Sequence, residues 1–438
     1  MSAIVAMASG PGRLPAQTLP ESSARPAAAA PRAPGTPALK SFDSAGDTLT
    51  LALGDVLELA LTQNPELLAQ RRLADAARGR LRQAGVLPFN PEFVIESEQV
   101  GNGRTLQAYE GEFSQEIEWA GQRGLRKQAA RLDLARANAT VRNAERLTTQ
   151  AAAAAFYRAA AAQRRVRVAE EILDLNRNLL AAVSEMLVSG AVSELEANLA
   201  RVESGRAQSR VLTERRDAAS AFLELKRILA LPETLTVRVT DSFPQAPDPA
   251  EFSLDTLAAQ ALARRPDMES AARGVEVSRS LLSLTRREAL PNLRLSVPFD
   301  RLEGPGSEQV GIGVGISIPL WNRNQGTADE LRAEVERTRY ELEAVERAIR
   351  SEVSDALQRY ASASAEERMA SRVILGPARQ SQEMLQAAYR AGKIDLPGLL
   401  LIRNELLDAE LDYWESWLER RLELVRLQAV IAAPLPNE

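Results

Sequence analysis

The sequence predicts a mostly α-helical protein with a small β portion, built from long helical hairpins and duplicated internally. Three observations lead there. First, Tyr109 to Trp119 alternates strictly, with Tyr109, Phe113, Ile117 and Trp119 on one side, joined by Gly111 and Gln115, and Glu110, Glu112, Ser114, Glu116 and Glu118 on the other. A period of two describes a strand with one apolar and one acidic face. Second, the stretch from Gln122 to Ser189 is rich in Ala, Leu, Arg and Glu and holds no proline. At a rise of ~1.5 Å per residue it makes a helix about 100 Å long. That exceeds the width of a compact domain, so the helix belongs to a rod or bundle. Third, landmarks recur at an offset of 201 or 202 residues: Pro65 as Pro266, Trp119 as Trp321, Gly124 as Gly326 and Gly190 as Gly392. A steady offset over so long a span indicates an internal duplication.

Taken in order, residues 1–48 form a Pro- and Ala-rich lead-in with no core of its own. Ala6-Met7-Ala8 has the small-residue pattern of a secretory cleavage site without a charged segment or a full apolar run before it. A leader shortened at its start and an ordinary disordered N-terminus both fit. The first repeat, 49–250, opens with a helix from about Leu53 to Leu87, broken at Asn64-Pro65. A strand pair over 91–119 follows, then the long helix, a turn near Gly190, a second helix to about Ala230 and a connector with a short strand at Thr234–Val239. The second repeat, 251–438, runs the same way: a helix from Leu254 to Leu290 interrupted at Pro266, a strand pair over 292–320 and a long helix with a break expected at Gly376-Pro377. A turn near Gly392 and a last helix from Leu396 to about Ile431 complete it. In the second strand pair Val310, Ile312, Val314, Ile316 and Ile318 oppose Gly311, Gly313, Gly315 and Ser317.

Composition excludes several classes of function. The chain has neither Cys nor His, which removes disulfides, catalytic thiols, imidazole or thiolate metal sites and a Ser-His-Asp arrangement. Its formal charge is -5, and no basic patch is concentrated enough for nucleic acid to be a partner. Glu170-Glu171 resembles an acid/base couple, but adjacent helix residues do not face one another. No catalytic, cofactor-binding or metal-binding residue is assigned, and an enzyme is not expected. No run reaches the roughly 18 apolar residues of a membrane-spanning helix, so entry into a bilayer would need strands. Four strands per chain cannot close a barrel, whereas three chains give twelve with no open edge.

The phrases QEIEWAGQRGLR (115–126) and IPLWNRNQG (318–326), with the duplicated helical plan, resemble the outer-membrane factor (TolC-like) family and, within it, the cobalt–zinc–cadmium heavy-metal efflux branch. The resemblance covers nearly all of the chain after Thr48. It implies a homotrimer with a twelve-stranded β-barrel in the outer membrane of a Gram-negative bacterium and a helical tunnel across the periplasm. It also implies outer-membrane lipid around the barrel, a periplasmic adaptor (membrane fusion protein) at the tips and an inner-membrane pump of the resistance-nodulation-division type. The duct would export substrate, with divalent heavy-metal cations expected. A coiled-coil scaffold and a periplasmic adaptor are the alternatives, although neither class accounts for two strand pairs each leading into a long helix.

The resemblance gives the candidate residues their roles. Gly190, Glu196, Arg201, Gly392, Asp395, Leu400 and Arg403 lie at the two periplasmic tips and are candidates for the gate. Glu196 stands where the family has an acidic residue; Gly398 takes the matching place in the second copy, with Asp395 as its substitute. Arg201 and Arg403 correspond and are suited to latch carboxylates on neighbouring helices. Glu96, Glu98, Glu110, Glu112, Glu116 and Glu118 would line the barrel lumen and favour cations. Trp119 and Trp321 stand where strand meets helix, positions suited either to an interfacial aromatic belt or to a core beneath the turn.

Overall fold

A computed structural model describes residues 48–100, 106–302, 308–391 and 393–433. Its spine is a helix of 67 residues, α3 (Gln122–Val188). Gly121, at φ 80°, makes the left-handed turn that starts it. Toward one end α3 packs against α2 (Pro65–Ala84) and α6 (Pro266–Glu288); toward the other it packs against α4 (Glu194–Ile228) and α9 (Leu396–Val430). Its alanine run explains how one helix serves so many neighbours. Ala152, Ala153, Ala155, Ala159, Ala160 and Ala161 are fully buried where α1 (Leu53–Gln63), the end of α4 and α9 converge. Side chains this small let helix axes approach closely, and Phe156 and Tyr157 between them fill the remaining volume.

Two short strands close this middle level. β1 (Thr48–Leu51) runs parallel to β4 (Thr236–Val239), pairing Thr48 with Thr236 and Leu51 with Val239. β4 matches the expected short strand, whereas β1 lies at the border of what the sequence read as lead-in. Four residues of TLTL are too few to establish a period, and their partner lies far away in sequence.

The helix breaks at Asn64-Pro65 and Arg265-Pro266 are joints between stacked helices. Asn64 caps α2 by accepting from Leu67 N at 3.0 Å, and its amide donates to Ile228 O at the end of α4 at 3.0 Å. One buried side chain therefore satisfies an orphan group on each of two helix ends. In the second copy α5 (Leu254–Arg264) meets α6 at Arg265, a buried guanidinium that donates to Asp267 at 3.0 Å and to Glu352 at 2.5 Å. Arg146, beside it on α3, donates to Ala429 O near the end of α9 at 2.8 Å.

The second long helix does not break at Gly376-Pro377. α7 (Gln325–Met369) passes through a π-turn, Ala370–Leu375, straight into α8 (Gly376–Arg390). Gly376 N donates to Ser371 O, five residues back. Pro377 brings no N–H, and in a regular turn its ring would press on the carbonyl four residues earlier. Widening the turn avoids that clash and keeps the helix continuous.

At the end of the molecule carrying the first turns of α3 and α7, one antiparallel sheet gathers both strand pairs in the order β2 (Glu92–Val100), β3 (Leu106–Ile117), β5 (Leu293–Leu302), then β6 (Glu308–Val310) and β7 (Gly313–Ile316). β6 and β7 are one strand in register: Phe299 faces Val310, and Ser296 faces Gly313. The ladder lapses between them because Pro298, opposite Gly311, accepts from Gly311 N at 2.9 Å and has no N–H to return. The expected single strand through Val310 is thus divided by a residue on its neighbour.

Replacing Asn64 with Ala should leave Leu67 N and Ile228 O without their partner, costing about 1–3 kcal/mol. The purified full chain should show a lowered thermal midpoint. An unchanged midpoint would mean that the joint carries no stability.

Candidate functional site: an acidic sheet face and two helical tips

Strand register sorts the side chains of the sheet onto two faces. Phe93, Phe113 and Val297 lie opposite one another across three strands, as do Ile95, Gly111, Phe299 and Val310 across four. Together with Leu295 and Val314 they make a continuous apolar face, and most of it is exposed in the chain. Gly111 is required there: a Cβ at this position would overlap the Phe299 ring. Glycine lets that ring cross β3 and stack on Phe93, with centroids 6.1 Å apart and planes 20° apart.

The other face is acidic. Glu96 on β2 stands directly opposite Glu110 on β3, which stands opposite Asp300 on β5. Like charges placed directly across a sheet repel. Glu112 and Glu116 continue the face along β3; Glu116 accepts from Asn292 Nδ2 at 2.8 Å and lies opposite Arg294. Toward β7 the same face is bare, since Gly311, Gly313 and Gly315 carry no side chain and a Cβ at Gly313 would overlap Ser296 Oγ. Among the described residues no three acids converge to hold a metal ion, so the face presents a distributed field rather than a chelate. The Glu98 side chain lies outside the described residues. Asp300 joins the row unannounced by the sequence reading, although it shares the parity of Arg294 and Ser296 and that parity would have located it.

Glu118 is not part of this face. β3 ends at Ile117, and the nearly buried Glu118 carboxylate receives both guanidinium nitrogens of Arg126, at 2.7 and 2.9 Å. It fastens the strand end to the first turns of α3. Trp119 anchors the same junction, donating from its indole nitrogen to Pro291 O at 2.8 Å while its ring stays exposed. Trp321, its counterpart, is 85% exposed.

At the opposite end, α3 stops in a Schellman turn. Gly190, at φ 73°, donates to Leu187 O at 3.0 Å, and Ala191 donates to Met186 O at 2.8 Å. Ser193 and Glu196 then form a capping box that starts α4. Glu196 N donates to Ser193 Oγ at 3.2 Å, and the Glu196 carboxylate accepts from Ser193 N at 2.7 Å and from its hydroxyl at 2.8 Å. In the second copy Lys393 N donates to Ala388 O at 2.9 Å, the counterpart of the Ala191 bond. Gly392 itself lies outside the described residues. Asp395 matches Ser193, not Glu196: it caps α9 by accepting from Gly398 N at 3.0 Å. A Cβ at Gly398 would stand 2.8 Å from that carboxylate oxygen, which accounts for glycine at the position expected to be acidic.

The remaining tip candidates diverge. Leu400 is buried with Val183, Ala197, Ala200 and Leu396 in the core between the two hairpins and does not face a tunnel. Arg201 is exposed and donates to Asn198 at 2.6 Å. Arg403 lies partly buried in a cleft of about 30 Å³ lined also by Ile172, Leu175, Leu375, Leu406 and Glu410. Burial lowers its pKa.

Long packed helices thus carry an open antiparallel sheet with one exposed apolar face and one acidic face. Known proteins resemble this chain as follows. The outer membrane efflux protein family matches residues 257–433. The cobalt-zinc-cadmium resistance protein CzcC of Cupriavidus metallidurans is 25% identical over 376 residues, covering 83% of this chain and 85% of that protein. Among solved structures the fold is shared with CusC (TM-score 0.71, 18% identity, 87% of this chain and 92% of that one). It is shared also with the CmeC outer membrane channel of Campylobacter jejuni (TM-score 0.73, 15% identity, 86% and 85%). The chain is thus similar to outer membrane efflux proteins over its second half and shares the fold of solved outer membrane channels along most of its length.

The two hydrogen bonds from Ser193 hold the Glu196 carboxyl below its usual range. A carboxyl with a depressed folded pKa contributes stability above its unfolded value and loses it as pH falls through the folded one. The amides at the start of α4 should therefore exchange faster as pH falls below the ordinary glutamate range, after correction for intrinsic rates. Glu196→Ala should remove that pH step; a step that persists in the variant would assign it to another group.

Proposed function

We propose that this chain is one protomer of a trimeric export duct carrying divalent heavy-metal cations outward in a tripartite efflux system. The observation that carries the reading is the sheet: four aligned strands with an exposed apolar face, an acidic opposite face and an unpaired strand at each edge of the chain. Unmet backbone groups in hydrocarbon cost several kcal/mol each, so the edges must meet other edges. Three copies supply twelve strands, put the apolar faces toward lipid and bring the Glu96–Glu110–Asp300 rows around one lumen. The metal cargo is supported by that field and by the likeness to CzcC, a cobalt-zinc-cadmium resistance protein. With no Cys or His to bind the ion selectively, choice of substrate rests with an inner-membrane pump of the resistance-nodulation-division type, reached through a periplasmic adaptor. On this reading residues 49–250 and 251–438 are two structural repeats, each giving one strand pair and one tunnel hairpin.

Gating takes place at the helical tips. Arg201 donates to Asn198 and Arg403 shares its cleft with Glu410, and the carboxylates that either would latch are assigned to the neighbouring protomers.

Detergent extraction should yield a particle of three chains that conducts in planar bilayers with a preference for cations. A folded, exported particle that leaves cells in buffer as a monomer or dimer would overturn the duct in favour of a scaffold or adaptor. Replacing Glu96, Glu110 and Asp300 together with Gln should reduce the cation preference severalfold without loss of assembly; unchanged selectivity would remove the acidic rows from the permeation path. Arg201 and Arg403 replaced together by Ala should raise single-channel conductance, and an unaltered conductance would dispose of the latch.

A further inference from the structure

Helices α3, α5, α6 and α9 leave a cavity of about 390 Å³ where the joint at Arg265-Pro266 meets the end of α9. Pro266, Val425 and Ala433 give it apolar walls, and Arg146, Arg264 and the amide of Gln150 supply donors. The charges beside it are unevenly shared. Asp267 and Glu352, the carboxylates whose charge reaches Arg146, both bond to Arg265 instead. Arg146 is left with neutral acceptors, Asn143 Oδ1 at 2.8 and 3.1 Å and Ala429 O at 2.8 Å. These bonds leave part of its five-donor fork unused. Arg264 is exposed and makes no ion pair among the described residues. Burial and the charge of Arg265 lower the pKa of Arg146, and Asp267 and Glu352 offset this only in part.

We infer that this cavity is a binding site for a carboxylate borne on a short apolar body, with Arg146 and Arg264 on the acid and Pro266, Val425 and Ala433 around the rest. A guanidinium presents paired donors in a plane, which match the two oxygens of a carboxylate. An occupant supplies the negative charge that Arg265 has drawn away from Arg146. Arg146 and Gln150 stand on α3, whereas Arg264, Pro266 and Val425 stand on α5, α6 and α9, so the occupant bridges the two duplicated halves at their seam. Two sources carry this chemistry. One is a free carboxylate. The other is Glu438: the sequence after Ala433 runs Pro434-Leu435-Pro436-Asn437-Glu438, and at ~3.3 Å per extended residue that acid is about 17 Å of chain from the cavity wall. The site stands independently of the duct reading.

The test is calorimetric titration and thermal unfolding of the purified full chain with sodium hexanoate, with hexanol as the uncharged control. Hexanoate should bind saturably and raise the thermal midpoint, and hexanol should do neither. Arg264→Gln, which alters an exposed side chain with no ion pair, should weaken hexanoate binding about tenfold. Glu438→Gln separates the sources. Tighter hexanoate binding in that variant than in the unmodified chain assigns the site to Glu438, and equal binding assigns it to a free carboxylate. Hexanoate that binds neither of these two chains would overturn the site, as would binding that the folded Arg264→Gln variant retains in full.

Discussion

Every backbone amide and carbonyl at the rim of the sheet needs a partner, and the strands of one chain do not supply them all. This constraint governs the rest of the molecule. In water the free edges of β2 and of the β6–β7 strand would be tolerable; against hydrocarbon they are not. The exposed side of the sheet is apolar from Phe93 to Val314, so the environment that the side chains select is the one that makes open edges untenable. On the duct reading proposed above, the helices place the sheets of separate chains side by side. The junction that fixes their direction is dense with bonds: Glu118 to Arg126, Trp119 to Pro291, Gln122 to Asn292 and Arg123 to Gly85.

A second constraint is length. A helix as long as α3 gains little from its own ends and must be supported along its whole course. The chain meets this with different devices at each level. Helices α2 and α6 flank it near the sheet, alanine and aromatic packing hold it in the middle, and α4 and α9 flank it toward the tip. The joints at Asn64 and Arg265 stack shorter helices end to end alongside it, which spares either partner an orphaned terminus in a buried place.

Much of this organisation was legible before any coordinates, for physical reasons that also mark its limits. Period-two alternation survives in any strand that divides apolar from polar surroundings, so Glu110 to Glu116 announced their face directly. The row they share with Glu96 and Asp300 did not appear, because it depends on which distant strand pairs with which and in what register. Proline was read as a terminator, correctly at Pro65 and Pro266 and incorrectly at Pro377, where the helix had room to widen instead. Asp395 was read as a substitute for the acidic residue absent at Gly398; it stands three residues earlier, at a helix cap, and its oxygen accepts from Gly398 N. Leu400 fell to packing, since a leucine between two apolar helices is drawn into their common core.

The Gly111–Phe299 pairing bears on assembly as well as on the finished sheet. The Phe299 ring fits only where its cross-strand neighbour lacks a side chain, and β3 offers that opening once, between Tyr109 and Phe113. A slip of two residues preserves the alternation of faces and escapes detection by polarity alone. It would, however, bring the ring against another side chain. The aromatic ring thus works as a key cut for one notch, proofreading the alignment of the two duplicated halves as the sheet forms.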